Sequence, residues 1–311
     1  MIRAPAAATA ARAPLRKLVG HMSGFALNLT SGRGLIGGVL ASLVCAGAAL
    51  WPARGADTAP APNFSPDSTT GWLAQDDEFI PPPNGPGPVT YDPAHPYISF
   101  YKLRRNPNPS FRVADLGNPI LQPWTREALR KANERALSGK VASIPKERCW
   151  PVGVPAFLLY PATPVYFIQT PKQVVMIWMQ DHQVRRVHLD VPHSAKVTPS
   201  WFGESVGHYE GDTLVVDTIG VSTNTYVDNY QTPHTDALHV VERFRMIDDG
   251  KTLEVNVHVE DPGAFTTPWN AIQRYQRVQQ GPMIEVVCAE NNGDHFHQGL
   301  EPMPQADKPD F

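Results

Sequence analysis

Charge is scarce in this sequence. Asp, Glu, Lys and Arg make up 18% of its 311 residues, against roughly a quarter in an ordinary soluble domain. Cysteine is scarcer, with three in all and no C-x-x-C pair, so a cysteine zinc site or thioredoxin-like redox chemistry has no basis. H-E-x-x-H is absent, which removes the helix-borne zinc protease site. There is no P-loop and no alternation of strands with helices, so nucleotide-binding α/β folds find no support. Ser205 and Ser222 lack the strand-to-helix elbow of a serine hydrolase. Outside the first 56 residues there is no Lys/Arg cluster to meet a phosphate backbone, which argues against nucleic acid as a partner.

What is present divides the chain. Residues 1–56 hold six of the 27 basic side chains (Arg3, Arg12, Arg16, Lys17, Arg33, Arg54) and none of the 30 acidic ones. The remaining body keeps 21 basic against 30 acidic groups, a net charge of −9. Gly34 to Ala53 is uncharged and ends at Pro52 and small residues. A basic flank, an apolar stretch and a small-x-small site predict a secretory signal over 1–56, with a start at Met1 or Met22. The competing reading is an uncleaved anchor, the one route to a membrane partner, because about 20 residues can span a bilayer. Either way the location predicted is periplasmic or secreted. Loss of the leader would leave Cys149 and Cys288. In an oxidising compartment they can form one bridge across about 140 residues, or remain two separate buried thiols.

Proline sets the next boundary. Residues 57–171 contain 20 prolines and residues 172–292 only six. The segment 57–114 therefore reads as an extended linker. One short helix follows, over 126–137, with Thr125 as N-cap and Gly139 as terminator. After Pro171 short runs rich in Val, Ile, Thr and aromatics recur: 174–179, 184–189, 213–218, 237–246, 252–259, 270–278 and 283–288. Turn residues separate them, Asp249-Gly250 giving a hairpin signal. The fold class expected is mainly β, an antiparallel barrel or sandwich over 115–292 with one leading helix, then a tail at 293–311.

The motif Gly207-His208-Tyr209-Glu210-Gly211-Asp212-Thr213-Leu214-Val215-Val216-Asp217-Thr218-Ile219-Gly220, with Pro233-His234-Thr235-Asp236-Ala237-Leu238-His239-Val240-Val241-Glu242-Arg243-Phe244 further on, resembles the signature of a family of exported proteins of soil and aquatic bacteria. The similarity runs from about residue 115 to 292. It implies secretion and a β-rich domain, and carries no activity with it. After His188-Leu189-Asp190 the chain reads Val191-Pro192-His193 where the family has a Gly-Arg-x-His turn. No role therefore transfers to His193.

Candidate chemistry gathers around the second motif. On a strand at 237–246, Leu238, Val240, Glu242 and Phe244 share one face, and His239 and Arg243 the other. Glu242 is then a carboxylate on an apolar face, in need of Arg243 or another cation. His234 or His239 as base, Glu242 as acid or orienter, and Asp217 as anchor form the acid–base set. Tyr226, Asp228 and Tyr230, on the polar-aromatic loop before His234, with Arg243, are the candidates for a pocket rim. The body's ten histidines are scattered, so no metal site and no cofactor is assigned. Two functions remain open. One is a binding module holding a small apolar or aromatic molecule in a barrel or sandwich pocket. The alternative is a cofactor-independent lyase, isomerase or hydrolase.

Overall fold

The computed structural model describes residues 61–98, 112–139, 145, 149–281 and 283–288. The leader expected at 1–56 and the tail expected at 293–311 lie outside the described residues. Among those described, nine strands close into one barrel. They are β1 (Thr70–Ala74), β2 (Val165–Thr170), β3 (Gln173–Trp178), β4 (Gln183–Leu189), β5 (Glu204–Glu210), β6 (Thr213–Ile219), β7 (His239–Ile247), β8 (Thr252–Glu260) and β9 (Trp269–Gln279). Each strand pairs with the next, and β1 closes the ring on β9. A mainly β barrel with one α-helix, α1 (Pro123–Leu137), is thus the observed class.

Eight of the nine pairings are antiparallel, and β4 with β5 is parallel. The odd strand count requires this: strict alternation of direction cannot close a ring of nine. A parallel pair needs a crossover rather than a hairpin. Residues 190–203 supply it, leaving the end of β4 and returning to the start of β5. Ser200 fastens this crossover to the sheet, its N–H donating to Gly220 O at 3.0 Å and its carbonyl accepting from Ser222 N at 2.8 Å.

Alternation sorts the side chains. Leu253, Val255, Val257 and Val259 of β8 are buried, as are Leu214, Val216 and Thr218 of β6 and Val240, Glu242 and Phe244 of β7. Between β7 and β8 the chain reverses through Asp248, Asp249 and Gly250, with φ of 53°, 53° and 76°. Those left-handed values suit Asp and Gly and explain the hairpin signal.

The barrel is filled. A 3₁₀ turn, Ala156–Leu159, inserts Phe157, Leu158 and Leu159, each at most 2% exposed. Its carbonyls are satisfied from the wall: Leu158 O accepts from Gln273 Nε2 at 3.1 Å and Tyr275 OH at 2.8 Å. The gap left among Trp72, Phe157, Phe167, Phe244, Leu253 and Tyr275 has no room for a water molecule.

Three expectations are corrected. The described part of the 57–114 linker contains a barrel strand, because residues 67–80 form a proline-free window in which Trp72 and Ala74 turn inward. The helix begins at Pro123 and not after a Thr125 cap. Proline at the first turn loses no hydrogen bond, and Thr125 is a buried helical residue whose hydroxyl donates to Ala264 O at 2.8 Å. Residues 283–288 form no strand. They meet a tight turn at Asp181, which donates its N–H to Val286 O and accepts from Cys288 N, and no ladder can extend from a single turn. Cys149 and Cys288 are joined by a disulfide, with Cα atoms 5.5 Å apart.

Candidate functional site

The predicted site residues separate into three places. Glu242 is 0% exposed inside the barrel and paired with Arg185 of β4, not Arg243. Arg185 Nη1 donates to Glu242 Oε1 at 2.9 Å and Nη2 to Glu242 Oε2. Arg185 also reaches Thr218 Oγ1 at 2.9 Å and Ser205 Oγ at 3.3 Å. Every charged atom of this cluster has a partner within the protein, and Glu242 is turned into the barrel, away from His239 on the outer face. Gly203-Glu204-Ser205-Val206-Gly207 has the G-x-S-x-G spacing. Ser205 nevertheless lies within β5, 2% exposed beside Arg185, and forms no elbow.

His234 and the preceding loop occupy the second place. His234 is 4% exposed, between Thr225 Oγ1 and Thr235 O at 3.0 Å each, and burial lowers its pKa. Asp228 and Tyr230 are both 5% exposed, turned into the protein and held by internal hydrogen bonds. Asp228 accepts from Tyr230 N, Thr232 N and Thr232 Oγ1 at 2.6–3.1 Å, and burial pushes its pKa up to about 6. Tyr230 OH donates to Glu78. Tyr226 is half-buried in the same loop. An Asx-type turn folds the carboxylate inward, so that Asp228 is buried although Thr223 and Asn224 of the same loop are exposed.

Asp217 and His239 do come together, at the third place, on the barrel's outer face. His239 Nε2 lies 3.0 Å from Asp217 Oδ1, and His193 Nε2 lies at the same distance from that oxygen. The chain continues both ways: His193 Nδ1 to Glu204 Oε1 at 3.0 Å, His239 Nδ1 to Glu260 Oε2 at 3.3 Å, and His258 Nε2 to Glu260 Oε1 at 3.0 Å. Carboxylates and imidazoles thus alternate across β5, β6, β7 and β8. Both nitrogens of His193 and of His239 face carboxylate oxygens, and for His239 the doubly protonated ring is the form that satisfies both. The hydrogen bond that His239 donates to Asp217 holds the His239 pKa above its usual value, and that same bond holds the Asp217 carboxyl below its own. Arg243 points outward too, but pairs with exposed Glu210. Among the described residues no group of three or more His, Cys, Asp or Glu is placed to hold a metal ion, and no helix is long and apolar enough to cross a membrane.

Sequence reasoning missed His193, Glu204 and Glu260, because the crossover brings His193 to Asp217 and Glu204, and strand register brings Glu260 to His239. Glu204 is opposite Ile219 and Glu260 opposite His239. It also missed the groove at the barrel mouth. Segment 61–68 crosses this end, held by Gln169, whose Nε2 donates to Pro62 O at 2.7 Å and Tyr209 OH at 2.8 Å and whose Oε1 accepts from Phe64 N. Around this strap lies a concavity of about 870 Å³, lined by Tyr166, Ile168, Ile177, Leu189, Tyr209 and Met283 with Pro62 and Asp190. The available signal was Val165–Thr170, six β-forming residues bracketed by Pro164 and Pro171.

Compared with known proteins, the chain matches no family model, no curated protein and no solved structure.

Proposed function

We propose that this is an exported binding protein whose groove at the barrel mouth takes a small apolar or aromatic molecule. One observation carries the reading. The groove's volume, about 870 Å³, lies within the range of small-molecule sites, and its aliphatic and aromatic side chains, Tyr166, Phe167, Ile168, Ile177, Leu189 and Met283, are joined by polar groups such as Asp67, Gln169 and Asp190 that can orient a ligand. Ile168 stands 52% exposed in it. Export is supported by the leader pattern and by the bridged cysteines, which suit an oxidising compartment.

The test is fluorescence titration with N-phenyl-1-naphthylamine, an uncharged aromatic probe. Saturable binding that weakens at least ~10-fold in Ile168→Asp is expected, because a charge would then have to be desolvated. Ile168 is exposed, so the variant folds; absence of binding to the parent protein sinks the reading. A second reading, a cofactor-independent acid–base enzyme, is favoured by the Asp217–His239 contact alone. Loss of turnover in His239→Ala with an unchanged melting temperature would support it, and equal turnover in parent and variant would end it.

A further inference from the structure

The parallel junction creates a second concavity, with no lining residue in common with the mouth groove. Because β4 and β5 run the same way, residues 190–203 must travel back along the outside of the barrel, and they leave a space of about 600 Å³ against the outer face of β4. One wall carries Arg186 and His188, successive outward positions of β4, and the crossover brings Lys196 to the same space. Among the described residues none of these three side chains makes a hydrogen bond or ion pair. Arg130, Arg185, Arg243 and Arg274 are paired with carboxylates, whereas here two unpaired cations, Arg186 and Lys196, line the same concavity.

The lining acid, Glu204, already has partners of its own. Glu204 Oε1 accepts from Ser194 N at 2.7 Å and faces His193 Nδ1, and its Oε2 accepts from Ser194 Oγ at 2.5 Å. Trp201 and Phe202 provide an aromatic end to the space. Phe202 is fixed edge-on to Phe157 at 5.7 Å and Trp201 rests on Trp150 at 5.5 Å. Three uncompensated donors facing an aromatic wall form a complementary surface for one chemical class.

We infer that this crossover pocket binds an organic anion with an aromatic body, its carboxylate or phosphate held by Arg186 and Lys196 and its ring packed against Trp201. Cations and ring are recognised together. A neutral ring loses the charge-assisted bonds, and a bare anion loses the aromatic wall.

Calorimetric titration of the full chain with benzoate, phenyl phosphate, benzyl alcohol and inorganic phosphate tests this. Saturable binding of benzoate or phenyl phosphate with Kd below about 1 mM is expected, with benzyl alcohol and inorganic phosphate each at least ~10-fold weaker. Arg186→Gln/Lys196→Gln should weaken the aromatic anion at least ~10-fold. Both residues are exposed, so the melting temperature should hold, and naphthylamine binding in the mouth groove should be unchanged. The inference is overturned if neither aromatic anion binds, if the double variant binds it as the parent does, or if inorganic phosphate binds equally well. Loss of naphthylamine binding through Ile168→Asp with benzoate binding intact would show the two sites to be separate.

Discussion

Strands β5, β6 and β7 carry two polar clusters back to back, one inside the barrel wall and one outside. Inside, Arg185, Glu242, Thr218 and Ser205 form a closed set, all at most 2% exposed. Outside, Glu204, His193, Asp217, His239 and Glu260 form an open chain, side chains 22–45% exposed. The members are sequence neighbours: Glu204 precedes Ser205, Asp217 precedes Thr218, and His239 lies three before Glu242. Residue type therefore does not decide role; the parity of the position does. An ion pair without water must be complete to exist at all, whereas a hydrated chain can lose a member and substitute solvent.

The largest effect expected comes from breaking the inner pair. Arg185→Met leaves the Glu242 carboxylate buried and unpaired, a change that costs about 3–5 kcal/mol. Arg185→Met/Glu242→Leu should recover most of that loss, because Ser205 and Thr218 still bond each other at 2.9 Å and a dry apolar pair replaces the ions. Urea denaturation of parent, single and double variants measures both steps. A single variant as stable as the parent would mean that water reaches Glu242.

An intermediate effect sharpens what Arg185 does for Glu242. Asp228 is buried to a similar degree and accepts three hydrogen bonds, but it forms no ion pair. Its pKa accordingly rises from 3.8 to about 6. A folded pKa above the unfolded one means that the native state holds more protons between these values. The stability contributed is complete below 3.8 and lost as pH rises through about 6. The size of the swing is on the order of 3 kcal/mol. Asp228→Asn should remove this component, so that the parent-minus-variant difference in unfolding free energy falls by about 3 kcal/mol between pH 4 and 7.

The inner cluster was half legible in the sequence. Alternation from Leu238 to Met246 placed Glu242 on the apolar face and called for a cation. The cation's identity was hidden, because Arg185 lies 57 residues away and reaches Glu242 across the barrel's interior. Alternation likewise put Asp217 and His239 outside, yet their meeting depends on the β6–β7 register. The strands missed were β1, β2 and β5. β1 lies in the segment read as linker, β2 is bracketed by Pro164 and Pro171 in the proline-rich half, and β5 carries Gly207 in mid-run. A Cβ at Gly207 would sit 2.7 Å from Val215 O, so close approach explains the glycine that weakened the strand signal. Odd strand number, and with it the crossover, had no local signature.

The smallest effect tests the outer chain. Asp217→Asn removes the acceptor shared by His193 and His239, both partly exposed, so the loss at neutral pH should stay below about 1 kcal/mol. Its pH window identifies it. His239 has a folded pKa raised above 6.5 by Asp217, and its contribution is complete below 6.5 and lost as pH rises through the folded value. Asp217 has a folded pKa below 3.8, and its contribution is complete above 3.8 and lost as pH falls through the folded value. The parent should therefore exceed the variant most between pH 4 and 6.5, with the gap narrowing on either side. Glu204 and Glu260, the other carboxylates facing these rings, are also held below their usual range and stay charged across that window. Salt at 1 M should shrink the gap, because the Debye length falls to about 3 Å. The inner pair, sealed from ions, should not respond. A salt-insensitive Asp217→Asn difference would place the outer chain in the same dry regime as Arg185 and Glu242 and erase the contrast between the two faces.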